Sequence, residues 1–179
     1  MKTAFLVLLF SLAVAFASNA QTQKGTKMLG GSGFVLLDEG IDIYLVPNAG
    51  YFIADDVAVG GGVELYYARY DPFRYMAVGL QPFVRYYFGP PTARTRYFAQ
   101  VNGAVSYRND KNMDAVEDIS HNYTSNSVGA GLGVVYFLTE QVGAEARLFY
   151  ENEKYNAGPR NGRLGLRFGV QIHLPGSAE

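Results

Sequence analysis

Along most of this chain, apolar side chains occupy every second position. The clearest stretch runs from Leu164 to Leu174, where Leu164, Leu166, Phe168, Val170, Ile172 and Leu174 alternate with Gly165, Arg167, Gly169, Gln171 and His173. Successive side chains of a strand point to opposite faces, so one face asks for hydrocarbon and the other for water or polar partners. Comparable segments recur roughly every twenty residues from Lys27 onward, about eight in all. They cover Lys27 to Leu37, glycine-rich and ambiguous in phase, then Ile41 to Ile53, Val57 to Ala68, Arg74 to Phe88, Arg96 to Arg108, Val128 to Leu138, Val142 to Glu151 and Leu164 to Leu174. Pro47 falls on the apolar face of the second segment and, lacking an N–H, predicts a bulge or bend; Pro82 sits likewise in the fourth.

Most segments run to about 11 to 13 residues, what a tilted strand needs to cross a bilayer, whereas strands of soluble domains average about five or six. Hydrocarbon tolerates no unpaired sheet edge, so eight such strands predict an all-β fold, an eight-stranded antiparallel up-and-down transmembrane β-barrel. The connections alternate in character. Ala54-Asp55-Asp56, Gly89 to Thr95 and Thr139-Glu140-Gln141 read as short periplasmic turns; Asp38 to Gly40, Asp71 to Phe73, Asn109 to Thr124 and Asn152 to Asn161 read as outer loops, the last two long and polar. Aromatic rings fall near the strand ends. Tyr51, Tyr86, Phe88, Tyr97 and Tyr136 lie toward the short turns, with Tyr67, Tyr107 and Tyr150 opposite, as two girdles at headgroup level.

The N-terminus adds a compartment. Lys2, an apolar run from Ala4 to Ala17 and then Ser18-Asn19-Ala20 form a secretory signal peptide over residues 1–20, leaving a single barrel domain at 21–179. Later in the chain no apolar run approaches a membrane-spanning helix. Removing Lys2 leaves 14 basic against 16 acidic residues, a balance that offers nothing to nucleic acid. With no cysteine there is no disulfide framework and no thiolate metal site.

Alternation predicts which polar groups face inward. They are Glu64, Arg85, Glu145, Arg147 and Arg167, with Gln81, Gln100, Asn102, Gln171 and His173 beside them. An eight-stranded barrel is just wide enough for its own side chains, so these charges are expected to pair with one another and fill the lumen. Neither His121 nor His173 has the serine or carboxylate partner of a catalytic site, and no enzyme activity is expected. Asp110, Asp114, Glu117 and Asp118 make the third outer loop acidic without the glycine-centred spacing of a calcium loop. The run Gly129-Ala130-Gly131-Leu132-Gly133 precedes no helix and is no dinucleotide loop; inward glycines instead leave room for bulky neighbours. No metal and no cofactor are expected.

Three stretches resemble small outer-membrane barrel proteins common in Bacteroidetes: Gly50-Tyr51-Phe52-Ile53-Ala54-Asp55-Asp56-Val57-Ala58-Val59-Gly60, Pro82-Phe83-Val84-Arg85-Tyr86-Tyr87-Phe88 and Gly133-Val134-Val135-Tyr136-Phe137-Leu138-Thr139. Together they look like the porin-family outer membrane protein beta-barrel domain, similar in build to OmpA/OmpX-type barrels. The resemblance implies location in the outer membrane of a Gram-negative bacterium, with membrane lipids and the barrel-assembly machinery as partners. It says little about activity. One departure is that such barrels usually end on an aromatic residue, whereas here Leu174 is followed by Pro175-Gly176-Ser177-Ala178-Glu179. The expected function is a monomeric structural or surface-interaction role: envelope integrity, adhesion or binding of extracellular ligands through the outer loops. The alternatives are a small-solute porin and a soluble lipocalin-like carrier, which would put its apolar residues inside.

Overall fold

Each alternating segment becomes one strand of a single sheet that closes on itself. The computed structural model describes residues 21–37, 40–113, 119–155 and 158–176. Its strands are β1 (Lys27–Leu37), β2 (Ile41–Ala54), β3 (Val57–Tyr70), β4 (Phe73–Phe88), β5 (Thr95–Asn112), β6 (Ile119–Phe137), β7 (Val142–Tyr155) and β8 (Arg160–Leu174). Every neighbour in chain order is antiparallel, and β8 pairs with β1 to complete the barrel. The predicted signal segment, and Asp114, Glu117 and Asp118 of the predicted acidic loop, lie outside the described residues.

Following paired residues once around the barrel, and continuing the β8–β1 register, returns to β1 ten residues farther along, from Lys27 to Leu37. For eight strands that stagger corresponds to a tilt of about 40°. Closure leaves no free edge, so backbone polarity is met inside the sheet.

The apolar residues face outward. Leu166 is 57 % and Phe168 61 % exposed, while Arg167 between them is 2 % exposed. A lipocalin-like carrier needs the reverse, so that alternative is excluded. The interior also holds an apolar cluster toward the short-turn end, built on Met28, Phe52, Phe83, Tyr87, Phe98, Val135 and Phe137. Inward glycines make room for these rings: a Cβ on Gly133 would stand 2.3 Å from the Phe98 ring, and one on Gly60 2.6 Å from Phe83.

Three local features differ from the sequence expectation. Asn109 to Thr124 is mostly not loop, because β5 and β6 stay paired out to Asn112 and Ile119. Asn152 to Asn161 likewise shortens, with Asn152–Tyr155 in β7 and Arg160 and Asn161 in β8. Both faces of these outer stems carry polar residues, so apolar alternation disappears although pairing continues. Thirdly, Pro47 makes no bulge. The β2–β3 register is the same on either side of it, Leu45 opposite Leu65 and Asn48 opposite Gly62, with pairing simply omitted between. The shift in that hairpin comes at Phe52 to Ala54, beside a tight turn in which Asp56 adopts φ 66°, a left-handed conformation that aspartate tolerates.

The segment before β1 straps across the short-turn mouth. The Asp56 N–H donates to Thr22 O at 2.8 Å, Gly25 N–H to Phe52 O at 2.9 Å and Phe52 N–H to Thr26 O at 2.9 Å.

Candidate functional site

The lumen collects the polar faces of all the strands, and its charges, Arg147 apart, assemble as four clusters. At the short-turn end Arg96 reaches Asp56 Oδ1 at 2.9 Å and Gly89 O at 3.1 Å, and also donates to the Thr22 hydroxyl, which in turn donates to Asp56 at 2.6 Å. This cluster pins the N-terminal strap to the barrel floor.

In the second cluster Arg85 on β4 grips Glu145 on β7 with two bonds, Nη1 to Oε2 at 2.6 Å and Nη2 to Oε1 at 3.3 Å. Its Nε donates to Gln100 Oε1 at 2.9 Å, and Nη1 also donates to Tyr87 Oη at 3.1 Å. The guanidinium lies 4.1 Å from the centroid of Phe98, so the cation rests on a ring as well as on a carboxylate. Gln171 donates to Glu145 at 3.4 Å.

Arg167 and Glu151 form the third cluster at 3.0 Å, with Ser127 donating to the same carboxylate and Arg163 approaching it at 3.0 Å from the loop side. Arg167 is sandwiched near Phe149 and Tyr44, 4.1 and 4.7 Å from their centroids. The fourth cluster joins Arg108 to Glu153 at 2.5 Å and to Glu64 at 3.6 Å, with Ser106 donating to Glu64 at 3.1 Å and Tyr155 to Glu153 at 2.6 Å.

Of the residues the sequence assigns to the lumen network, Glu64, Arg85, Glu145, Arg147 and Arg167 are all buried inside the barrel. Arg147 departs from the expected pairing: among the described residues it makes no hydrogen bond and no ion pair, because the carboxylates near it are held by Arg85 and Arg167. Gln81, Gln100, Gln171 and His173 are buried as expected, and Asn102 is half-buried. The sequence-based network leaves out Arg96, Arg108, Glu151 and Glu153. The first three stand on the polar faces of their segments, and that strand phase is the signal that could have found them. Glu153 falls in the Asn152 to Asn161 stretch that reads as loop.

Side chains leave little room within. A cavity of about 10 Å³ remains beside Arg85, Gln100 and Arg147, the volume of one water-sized sphere. His173 packs among Phe52, Tyr87 and Phe137, with its Nε2 3.5 Å from Tyr87 Oη. No serine or carboxylate orients it among the described residues, and His121 stands exposed on the outer stem of β6. No group of three or more histidines, cysteines or carboxylates converges for a metal among the described residues.

On the outside, Tyr51, Tyr86, Phe88, Tyr97 and Tyr136 are exposed near the short turns, and Phe88 stacks on both Tyr86 and Tyr97 at centroid distances of 6.3 and 5.9 Å. Tyr107 and Tyr150 are exposed toward the other end, and half-buried Tyr67 shares an outer groove with Tyr107 and Met76. Tyr97 and Tyr107 both lie on β5, ten positions apart. That spacing is about 33 Å along the strand and about 25 Å along the axis of a barrel tilted as this one is, the height of an apolar membrane band.

No family model and no curated protein sequence matches the chain. Solved structures do. The N-terminal β-barrel domain of Pseudomonas aeruginosa OprF superposes with a TM-score of 0.56 at 18 % identity, covering 84 % of this chain and 98 % of that one. Neisserial surface protein A gives 0.53 at 18 % identity, over 83 % and 97 % of the two chains. A major outer membrane protein from Thermus thermophilus gives 0.51 at 12 % identity, over 83 % and 99 %. At these identities the likeness establishes the fold, a closed eight-stranded antiparallel barrel of the outer-membrane type.

Proposed function

We propose that the protein is a monomeric barrel of the Gram-negative outer membrane, delivered there after removal of residues 1–20, that serves a structural or surface-interaction role and conducts no solute. The observation that carries this reading is the opposition of its two faces: Leu132, 63 % exposed, and Phe168 look out while Arg85, 3 % exposed, is clamped to Glu145 across the lumen. An exterior of that area and composition is stable against acyl chains and costly against water.

Non-conduction rests on the fill of the interior, where charged pairs and rings leave about 10 Å³ beside the central clamp. A hydrated ion needs far more. The working surface is then the outer end, where the β5–β6 and β7–β8 stems carry Tyr123, His121 and Arg160 beyond the girdle of Tyr107 and Tyr150. This is where adhesion or ligand binding would take place. Membership of the Bacteroidetes-type porin family, and assembly by the barrel-assembly machinery, are part of the same reading and rest on the three motif stretches.

Liposome swelling with purified protein tests it, combined with gel mobility before and after boiling. The expected result is a heat-modifiable membrane protein whose liposomes swell no faster in small sugars than protein-free ones. Rapid swelling would establish the porin alternative, and a soluble, heat-unmodified protein would refute membrane residence.

A further inference from the structure

Arg147 is 4 % exposed, and its lack of a partner follows from its surroundings. Glu145, two positions earlier on the same inward face, is committed to Arg85; Glu151 is shared between Arg167 and Arg163. Arg167 and Arg85 act on Arg147 as like charges, and the attraction of Glu145, already spent on Arg85, opposes them only in part. Three guanidiniums therefore share the middle of the barrel with two carboxylates, one of which also serves Arg163, a fourth arginine nearer the mouth. Arginine cannot shed its proton, and a buried charge without a counter-charge is costly. The centre is short of one negative charge.

Beside Arg147 lies the cavity of about 10 Å³, which Gln81, Ser32 and Asn48 also line. Gln81 Nε2 has no hydrogen-bond partner, so a free donor belongs to the same wall as the unpaired cation. Water would satisfy the donor but not the charge. A carboxylate or phosphate is too large for the space. A monatomic anion can satisfy both, since it is smaller than either and accepts hydrogen bonds from every side. Asn48 is the one adverse group: its Nδ2 donates to Val46 O at 3.4 Å and leaves Oδ1 without a partner. A half-turn of that amide presents a donor to the cavity and gives up the long bond to Val46 O.

We propose that the middle of this barrel is a halide site, holding one chloride against the Arg147 guanidinium with Gln81 and Ser32 as further donors. The ion is captured on folding, gives Arg147 a counter-charge where it stands and stabilises the closed barrel. It is a structural counter-ion, independent of what the outer stems bind.

The test uses the full barrel refolded in zwitterionic detergent in sodium chloride, sodium bromide or sodium gluconate at equal ionic strength. Chloride and bromide should raise the urea midpoint saturably, by roughly 0.5 M at a tenfold excess over the dissociation constant, and gluconate should not. Arg147→Met should unfold at the same midpoint in all three salts, whereas Arg69→Gln, at an exposed position, should keep the chloride gain. Crystals grown in bromide should show an anomalous peak beside the Arg147 guanidinium, a readout that needs no variant should Arg147→Met fail to refold. Equal wild-type midpoints in chloride and gluconate, a chloride gain that survives Arg147→Met, or a lumen without a bromide peak would each overturn the proposal.

Discussion

Arg85 and Glu145 meet across the lumen from β4 and β7, strands that share no edge, and their two-point contact ties opposite walls of the barrel together. Removing one partner leaves the other charged and buried. Glu145→Ala should therefore destabilise the barrel by about 3 kcal/mol in urea unfolding, within the range known for broken buried pairs. Conductance in planar bilayers should stay at background, because Tyr87, Phe98 and Gln100 still fill the section. A large conductance gain would instead make the pair a gate.

Gly133 and Phe98 fit as void and ring. Gly133→Ala sets a methyl 2.3 Å from the ring and should cost about 1 to 3 kcal/mol through overpacking. Phe98→Leu in the same chain should recover part of that loss, and a double-mutant cycle on unfolding free energies measures the coupling.

The outer stem has a pH limit. Burial, and then the hydrogen bond to Glu153, push the Tyr155 phenol up to about 12 from its ordinary value of 10.0. The folded pKa lies above the unfolded one, so this group's contribution is full below pH 10 and is lost as pH rises toward 12. Hydrogen exchange in the β5–β7 stem should accelerate across that window while the girdled part of the barrel stays protected. Glu153→Gln should lower the phenol pKa, read by ultraviolet titration.

The strap depends on Asp56. Asp56→Asn removes the charge that Arg96 and Thr22 share, and the Thr22 to Thr26 segment should detach first. The check is faster proteolysis before Lys27, with the barrel's own stability lowered by no more than about 1 to 2 kcal/mol.

Strand number, phase and the inward set were legible in the chain because a barrel wall is one residue thick and every position must choose between two unlike media. Leu166, Arg167 and Phe168 could hardly take another arrangement. Where the media become alike, the signal fades: Asn109 to Asn112 and Ile119 to Thr124 are paired strands with polar groups on both sides, and they read as loop. Pairing partners were also hidden. Alternation puts Arg147 and Glu145 on one face but cannot say that Arg85, sixty positions away, takes the carboxylate first. Pro47 misled for a related reason. A bulge is one remedy for a missing donor, but here β2 keeps its register and omits two pairings.

The chain contains no tryptophan, so a single introduced one reports its own surroundings. Phe168→Trp and Tyr97→Trp, each reconstituted in vesicles containing lipids brominated at mid-chain, test the central claim that the greasy face of the barrel meets acyl tails. The account predicts strong quenching of the indole at position 168 and weaker quenching at position 97, near the headgroups. An unquenched indole at 168, equally accessible to aqueous iodide, would contradict it.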